Sequence, residues 1–381
     1  KICHDFCRAS EARMKFTLQR EQLLKPLQLV TGVVERRQTL PVLSNLLVQA
    51  GENGISLTGT DLEVEMVAHC NVEVQEAGEV TIPARKLADI WRSLPDGAEV
   101  SLSVEGDRVT IRSGRSRFTL ATLPASDFPK VEGGDADILV PLEPAALAGL
   151  IDQVSFAMAQ QDVRVFLNGM LLEIGNDYIR AVATDGHRMA MSTKPCTPQT
   201  PLESRKQAIV PRKAVLELSR LLDEEDEELK LQLGTNHLRV TKGAFTLTTK
   251  LVDGQFPDYD KVVPKDASRA IAGDRNTLRQ GFQRASILSN EKYRGVRLVI
   301  ADDQMTIKAN NPEQDEAEET VPVEFNGEQL EIGFNVSYLL DVLSVLSGDD
   351  VQISVSDANS SALLEDPAKE GAVYVVMPMR L

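Results

Sequence analysis

The sequence is poor in aromatic residues and in cysteine, and it has no long apolar run. Aromatic residues make up 4% of the 381 residues, with a single tryptophan, so aliphatic side chains must fill the cores. Beyond the first thirteen residues the only cysteines are Cys70 and Cys196, which lie far apart and fit a reducing compartment, the cytoplasm, without disulfides. No stretch approaches the roughly 18–20 apolar residues of a membrane span, so we expect a soluble chain with no membrane partner.

Motifs typical of enzyme active sites are also scarce. The chain has neither a glycine-rich phosphate loop nor a serine or cysteine nucleophile motif. The most enzyme-like stretch runs from Thr184 to Arg188, where Asp185 and His187 are suited to acid–base chemistry. A hydrolase or transferase that uses these two residues is therefore an alternative hypothesis.

The first thirteen residues, Lys1 to Arg13, do not resemble the rest of the chain. They precede Met14-Lys15-Phe16-Thr17, which has the form of a natural start followed by an alternating strand. They contain no apolar stretch of the kind found in secretory signals. We interpret residues 1–13 as a vector-derived leader that takes no part in the fold.

Three passages of the chain share one pattern. They are residues 82–94, 210–222 and 334–346, and shifts of 128 and then 124 positions superpose them without gaps. Each opens with an extended dipeptide and continues with apolar residues at helical spacing, such as Leu87 and Leu94. Each passage therefore predicts a short amphipathic helix entered from a strand.

Further segments recur at the same interval. Helical patterns cover residues 20–37, 143–161 and 274–294. The strand-like runs that follow them are residues 41–50 and 55–66, residues 164–174 and 179–191, and residues 293–301 and 305–308. Alternating strands with short glycine turns are typical of antiparallel hairpins. We therefore predict an α+β fold of three tandem copies, each with two helices packed on antiparallel sheets, at residues 14–134, 135–265 and 266–381.

The charge of the chain is distributed unevenly. The net charge of −16 taken alone argues against binding to nucleic acid, because phosphate contacts need lysine and arginine. The six predicted helices nevertheless carry a net +8, which leaves −24 for the rest of the chain. Their ranges are 20–37, 84–94, 143–161, 205–222, 274–294 and 335–346. This split predicts a cationic face for a polyanion, and the alternative is that lysine and arginine are simply good helix formers.

The repeat and a set of specific motifs resemble the bacterial DNA polymerase III beta subunit family, the sliding clamps. The resemblance runs from Met14 to Leu381. The motifs that carry it are Met14-Lys15-Phe16, Thr39-Leu40-Pro41, Leu57-Thr58-Gly59-Thr60-Asp61-Leu62-Glu63, Thr184-Asp185-Gly186-His187-Arg188, Phe256-Pro257-Asp258-Tyr259, Ser289-Asn290-Glu291-Lys292 and Val376-Met377-Pro378-Met379-Arg380-Leu381.

The resemblance implies a non-catalytic processivity factor without metal or cofactor. Two chains would form a head-to-tail homodimeric ring that encircles duplex DNA independently of sequence. The implied protein partners are the replicative polymerase alpha subunit, the clamp loader delta subunit, and other polymerases and repair proteins that carry a clamp-binding motif. A repeat scaffold that binds peptides but not DNA is the remaining alternative.

The family resemblance also implies residues that face DNA. They are Arg37, Gln161, Arg164 and Lys213. The predicted helices add further candidate cations. These are Arg20, Lys25, Arg85, Arg212, Arg279 and Arg284. Many relatives carry a tyrosine pair where this chain has Val165-Phe166, so a polar or stacking contact from that pair is not expected here.

A peptide-binding groove is the second implied site. Its residues would be Leu167, Thr184, Gly186, His187, Arg188, Met189, Pro257, Lys261, Val262, Tyr293, Asn335, Tyr338, Ser361, Val375, Val376, Met377, Pro378, Met379 and Arg380. Flexible methionines in the last stretch would let one apolar groove accept several partner motifs, whereas an ordinary core strand is the simpler interpretation of that stretch. Lys261 and Tyr293 stand where arginine and phenylalanine are common, which we expect to alter partner affinity modestly.

The third implied site is the contact between the two chains of a ring. A head-to-tail contact needs two different, complementary surfaces. The basic and apolar candidates are Lys86, Arg115, Arg117, Phe118, Leu120, Ile287 and Leu288, and the acidic candidates are Asp315, Glu316, Glu318 and Glu319. The acidic stretch lacks the alternating oxygen ligands and central glycine of a calcium loop, and a solvated edge is the alternative to an interface.

Overall fold

The computed structural model describes residues 13–35, 40–129, 136–222, 228–265 and 267–380. Residues 1–12 of the predicted leader and the candidate DNA residue Arg37 lie outside these ranges. Arg13, which the leader prediction included, is the first residue of a strand and pairs with Glu105. No helix among the described residues is long and apolar enough to cross a membrane.

The first repeat has the predicted order of helix, strands, helix and strands, preceded by one more strand. Its elements are β1 (Arg13–Gln19), α1 (Arg20–Val33), β2 (Asn45–Gly51), β3 (Gly54–Thr60), β4 (Val64–Cys70), β5 (Val74–Glu76), β6 (Gly78–Pro83), α2 (Ala84–Ser93), β7 (Glu99–Glu105), β8 (Arg108–Ser113) and β9 (Ser116–Ala121). The run predicted as one strand at 55–66 is two strands. A turn separates them because the Asp61 carboxylate accepts hydrogen bonds from the Glu63 and Val64 amides, at 2.9 and 2.7 Å.

The second repeat corrects one helix prediction. Its elements are β10 (Ala136–Leu142), α3 (Pro144–Val154), β11 (Gly169–Ile174), β12 (Tyr178–Thr184), β13 (Arg188–Pro195), β14 (Lys206–Pro211), α4 (Arg212–Leu221), β15 (Leu229–Gly234), β16 (His237–Lys242) and β17 (Phe245–Lys250). The prediction of helix over 205–222 was wrong for its first part, since residues 206–211 pair with β11 along the whole strand. Sheet pairing there overrides the helical propensity of the basic residues.

The third repeat has the same order of elements. They are β18 (Arg269–Asp274), α5 (Arg275–Ser286), β19 (Gly295–Ala301), β20 (Gln304–Asn310), β21 (Glu316–Pro322), β22 (Glu324–Phe325), β23 (Leu330–Asn335), α6 (Val336–Val345), β24 (Asp350–Val355), β25 (Ala362–Glu365) and β26 (Ala372–Val376). The helix predicted over 274–294 ends at Ser286, and the helix predicted over 143–161 likewise ends early, at Val154. In both places turns of 3-10 type follow, such as Ser155–Ala157.

Every repeat contributes the same two four-stranded arrangements, and all strand pairs are antiparallel. One arrangement has the orders β1-β7-β8-β9, β10-β15-β16-β17 and β18-β24-β25-β26. The other has the orders β6-β2-β3-β4, β14-β11-β12-β13 and β23-β19-β20-β21. The predicted α+β fold of three tandem copies is thereby confirmed.

Sheets of neighbouring repeats join edge to edge. β17 of the second repeat pairs with β4 of the first, and β26 of the third repeat pairs with β13 of the second. The joined sheets have eight and nine strands. The strands in the corresponding positions at the two ends of the repeat array are β9 and β21, and within the described ranges each has one neighbouring strand.

Contacts divide the chain into two compact units, and each joined sheet lies within one of them. The first unit is Lys1–Pro144 with Leu216–Leu251, and the second is Ala145–Val215 with Val252–Leu381. Fully buried Trp91 belongs to the core of the first unit, and fully buried Phe282 to that of the second. The division falls inside the second repeat because its two sheets join different neighbours.

A cation caps the C-terminal end of the second helix in each repeat. Arg20 donates to the Trp91 carbonyl at 3.2 Å, Lys242 to the Leu221 carbonyl at 3.2 Å, and Arg275 to the Leu346 carbonyl at 2.8 Å. The last carbonyls of a helix lack partners within it and carry partial negative charge, so a cation stabilises them.

We expect Arg275→Met to lower the free energy of unfolding by about 1–2 kcal/mol, because the last carbonyls of α6 lose their donor. Urea denaturation followed by circular dichroism measures this loss. The matched control is Arg297→Met, since Arg297 forms an exposed ion pair with Glu331 in the same unit and its loss should change stability by about 0.5 kcal/mol or less. Equal effects of the two substitutions would contradict the capping role.

Candidate functional site

Several of the predicted groove residues lie where β13 meets β26. Arg188 lies opposite Val376 and Met189 opposite Val375, and the Met377 amide continues the ladder by donating to the His187 carbonyl at 2.9 Å. The C-terminal stretch therefore runs alongside the turn between β12 and β13. We call the nineteen predicted residues around this junction the candidate groove.

An apolar cluster forms the floor of the candidate groove. Its buried members are Leu171, Val182, Met189, Ile209, Phe256, Tyr259 and Val375, and the partly buried side chains packed against it are Phe166, Met191, Val252, Val262, Val263 and Leu363. Three predicted groove residues, Met189, Val262 and Val375, thus belong to one packed body. Leu167, also predicted, is buried in the adjacent 3-10 turn Val165–Leu167.

The turn of the Thr184–Arg188 motif is built from its own side chains. The Asp185 carboxylate accepts from the His187 amide at 2.9 Å and the Arg188 amide at 3.0 Å, while the Thr184 hydroxyl donates to the Arg188 carbonyl at 2.6 Å. Gly186 has φ of +88°, and a β-carbon there would lie 3.0 Å from the Arg164 guanidinium. The Asp185 carboxylate therefore shapes a turn, as Asp61 does in the first repeat.

Arg188 ties this turn to the third repeat. Its guanidinium donates to the carboxylates of Asp185 and Asp341 and to the Phe156 carbonyl. The same group lies 4.5 Å from the ring centre of Tyr338, within range of a cation–π contact. The Arg188 side chain is 12% exposed. It therefore links the Thr184–Arg188 turn to α6, the helix that carries Asp341 and Tyr338.

Exposed side chains occur among the predicted groove residues. Tyr293 is 56% exposed and Met377 is 38% exposed, and the Lys261 side chain, ion-paired with Asp258 at 2.8 Å, is 81% exposed. The remaining predicted residues lie on the same strands and loops: Pro257 precedes the 3-10 turn Tyr259–Lys261, Asn335 caps α6, Ser361 precedes β25, and Pro378, Met379 and Arg380 follow β26. An apolar floor beside exposed side chains suits an extended peptide.

Among the candidate DNA residues of the second repeat, Arg164 lies beside the Thr184–Arg188 turn, where its guanidinium donates to the Asp185 carbonyl at 3.5 Å. Arg164 is half exposed and makes two hydrogen bonds to Asp162, at 3.0 and 2.9 Å. These bonds lower the pKa of Asp162 to about 2 and raise that of Arg164, so both groups stay ionised. Gln161 is exposed with φ of +57°, and Lys213 is half buried in the first turn of α4.

The observed helices carry a net positive charge, as the predicted helices do. The six helices hold eleven lysines and arginines against five acids, a net +6 in a chain of −16. Some added candidates have partners within the chain. Arg20 is 12% exposed and bonds to Asp96, Lys25 lies 5.8 Å from the Phe245 ring, and Arg284 bonds to Glu319. Arg85, Arg212 and Arg279 lie on α2, α4 and α5.

The candidate interface residues lie on two exposed edges of different sheets. Arg117, Phe118 and Leu120 lie on β9, Arg115 lies in the turn before it, and Lys86 is exposed on α2. Glu316, Glu318 and Glu319 lie on β21, Asp315 precedes it, and Ile287 and Leu288 follow α5, where Ile287 is 75% exposed. Hydrogen bonds from Arg284 hold the pKa of Glu319 below its ordinary value. The β9 edge is basic and apolar. The β21 edge is acidic, and apolar Ile287 and Leu288 follow α5, which packs against β21, so their prediction beside the basic candidates was wrong.

Three sequence-family models, one for each domain of the DNA polymerase III beta subunit, match the chain. The N-terminal domain matches residues 14–132, the central domain residues 141–258 and the C-terminal domain residues 260–380. The chain belongs to the DNA polymerase III beta subunit family. In its relatives this subunit is called the beta sliding clamp.

Two such clamps are those of Pseudomonas putida and Escherichia coli K12. They are 56% and 51% identical to the chain over 371 and 369 residues, which is 97% of this chain and 100% of theirs. Among solved structures, the clamp of Pseudomonas aeruginosa bound to griselimycin is 56% identical with a TM-score of 0.93, and that of Bartonella birtlesii bound to griselimycin is 38% identical with a TM-score of 0.93. Each comparison covers 97% of this chain and 100% of the other.

Membership of the sliding-clamp family settles the type of function. The role is that of a processivity factor, a non-catalytic accessory subunit of DNA polymerase III. The alternative of a hydrolase or transferase using Asp185 and His187 was wrong. Asp185 has a structural task, since its carboxylate bonds to two turn amides and to Arg188.

The sequence did not predict every residue that supports the groove. Asp341 and Phe156 both bind Arg188, yet neither was predicted as part of a site. A signal existed for Asp341, because it stands at the same repeat position as Asp89 and Glu217. The pattern marked the position but did not show that its carboxylate reaches another repeat.

We expect Asp341→Asn to lower the free energy of unfolding by about 1–2 kcal/mol, since the largely buried Arg188 loses one of its two carboxylate partners. Urea denaturation measures the change. Asp349→Asn is the control, because Asp349 is exposed and offers Arg275 only its backbone carbonyl. If Asp341→Asn is as stable as that control, Arg188 does not depend on the α6 carboxylate.

Proposed function

We propose that two copies of the chain close head to tail into a ring around duplex DNA and tether the replicative polymerase through the candidate groove. The observation that carries this proposal is the repeated way in which sheets join. Two of the three repeat-to-repeat junctions are made within the chain, by β17 with β4 and by β26 with β13. The third junction, β9 with β21, remains for a second copy to make.

The ladders inside the repeats fix which strands are equivalent. Thr60 pairs with Glu65, Thr184 with Met189 and Asn310 with Glu316, so β4, β13 and β21 hold the same position in their repeats. β9, β17 and β26 are each the last strand of their repeat. A junction of β9 with β21 of another copy is therefore the antiparallel pairing that the chain already makes twice.

Charge supports the same pairing between copies. The β9 edge presents Arg115 and Arg117, whereas the β21 edge presents Asp315, Glu316 and Glu318. Opposite charges on two different surfaces favour a heterologous contact, and two such contacts close a dimer. Exposed Ile287 and the side chains of Phe118 and Leu120 supply apolar area at the same edges.

DNA binding in this proposal comes from the basic helices and from the segment between α3 and β11. Their net +6 contrasts with a strongly acidic remainder, so phosphates are attracted to the helical face and repelled elsewhere. Diffuse contacts of this kind do not read base sequence. Arg164, Gln161, Lys213 and Arg37 are the proposed phosphate contacts, with the exposed helix residue Arg85 beside them.

Partner proteins would dock in the candidate groove. Its apolar floor and the exposed Met377 and Tyr293 suit a short, partly apolar peptide. The griselimycin complexes of two relatives support a ligand site on this fold. We propose the polymerase alpha subunit, the clamp loader delta subunit and other polymerases and repair proteins as occupants, in the cytoplasm at the nucleoid.

A charge-exchange experiment tests ring closure. We expect Arg117→Glu and Glu316→Lys each to raise the dimer dissociation constant at least about tenfold, because each places like charges at both junctions. Arg117 lies opposite Arg112 in β8, so an acid there is favourable within the chain and folding is preserved. Light scattering at micromolar concentration measures the shift from twice 41.8 kDa towards 41.8 kDa.

Mixing the two variants provides the decisive control. A mixed dimer has one native junction and one junction with the charges exchanged, so both are attractive and the dimer mass should return. Arg92→Glu, which changes an exposed α2 residue paired with Asp89, should leave the dimer unchanged. A dimer that resists Glu316→Lys would show that β21 is not the partner edge.

Topological retention tests the encircling of DNA. We expect chain loaded by a bacterial clamp loader and ATP to stay on nicked circular DNA through gel filtration and to leave when the DNA is linearised, since a ring slides off free ends. The Arg117→Glu chain is the matched control and should be lost from both forms. Equal retention of the unaltered chain on circular and linear DNA would contradict encircling, and no retention on either form would favour the scaffold that binds peptides but not DNA.

A further inference from the structure

A fully buried carboxylate lies beside the floor of the candidate groove. Glu173 on β11 is 0% exposed, although ionised side chains are almost never buried without partners. It stands two residues after Leu171, so both side chains project from the same face of the strand. Leu171 belongs to the apolar floor cluster.

Five polar side chains surround this carboxylate. The Tyr178 hydroxyl donates to it at 2.7 Å, the Tyr259 hydroxyl at 2.9 Å and the Gln207 amide at 2.5 Å. The guanidinium groups of Arg180 and Arg205 lie 3.7 and 3.6 Å from its oxygens. Burial raises the pKa of Glu173, but these hydrogen bonds and the charge of Arg205 outweigh burial, so the pKa lies below its ordinary value.

Tyr259 connects the carboxylate to the groove wall. Its ring is a buried member of the floor cluster, and its hydroxyl bonds to both Glu173 oxygens and accepts from Arg180 at 3.1 Å. Tyr259 also begins the 3-10 turn Tyr259–Lys261, where its carbonyl accepts from the Val262 amide at 3.0 Å. The turn therefore cannot shift without breaking bonds to a buried charge.

Comparison of the repeats shows that this arrangement is particular to the groove. Asn45, Gly169 and Gly295 hold equivalent positions, because each pairs with the last residue of the strand before the second helix. Four residues on stand Gln49, Glu173 and Val299. Gln49 is exposed, and Val299 is apolar. The buried carboxylate occurs in the one repeat whose turn, Tyr259–Lys261, borders the candidate groove.

We infer that Glu173 is a positioning residue of the groove, which fixes Tyr259 and through it the wall segment Pro257–Val262 for an incoming peptide. This inference rests on the proposed function of the groove as a docking site. The simpler alternative is that Glu173 stabilises the second unit and has no influence on peptide binding. Tyr178 distinguishes these two explanations. Its hydroxyl bonds to the same carboxylate, but its ring lies on β12 and not in the wall segment.

The test compares Tyr259→Phe with Tyr178→Phe, each of which removes one hydroxyl on Glu173. The probe is fluorescein-labelled griselimycin, and the readouts are fluorescence anisotropy and the melting temperature. We expect Tyr259→Phe to weaken binding about tenfold and Tyr178→Phe to change it less than about twofold, with similar losses of melting temperature. Glu173→Gln should weaken binding about tenfold, and adding Tyr259→Phe to it should change little more.

Two results would overturn the inference. One is binding by Tyr259→Phe within about twofold of the unaltered chain, and the other is an equal loss of affinity in Tyr178→Phe. If Glu173→Gln does not fold, the two tyrosine variants still decide the question. Failure of the unaltered chain to bind the probe would instead count against the groove as a docking site, which keeps the two proposals separable.

Discussion

The exposed edge of a β-sheet is the constraint on which this structure depends. Backbone amides and carbonyls along an edge strand need partners, and an open edge invites another strand. Here the last strand of one repeat pairs with the edge strand of a sheet in the repeat before it. The two pairs are β17 with β4 and β26 with β13. Backbone hydrogen bonds therefore join the repeats, and the side chains at one junction can differ from those at the next.

The candidate groove shows what that freedom permits. At the junction of β4 with β17, the turn carries Leu62 and the ladder continues through Lys250. At the junction of β13 with β26, the same positions hold Gly186 and Met377, and Arg188 gathers carboxylates from two repeats. The same backbone pairing thus forms a simple junction in one place and the base of the candidate groove in another.

Much of the fold follows from local sequence, and the site follows from it less completely. The repeat and the periodicity of residues 84–94 predict α2 closely, because helix formation there depends on neighbours in the chain. Residues 206–211 were predicted as helix, since their pairing partner β11 lies far away in sequence. Glu173 interrupts the apolar run Met170–Ile174, which could have marked it, but only packing shows that Tyr259 and Gln207 surround it.

The two kinds of junction differ in how they are held. Between β17 and β4 the facing pairs are mostly uncharged, such as Leu247 with Met66 and Thr246 with Val67, and the chain itself keeps the strands at high local concentration. In the proposed ring, the junction of β9 with β21 of a second copy has no such tether and would rely on arginine and glutamate. Small ions compete for those charges, whereas they leave uncharged ladders largely untouched. If that junction opens to admit DNA in the proposed ring, it is also the one junction whose strength the ionic composition of the cell can adjust.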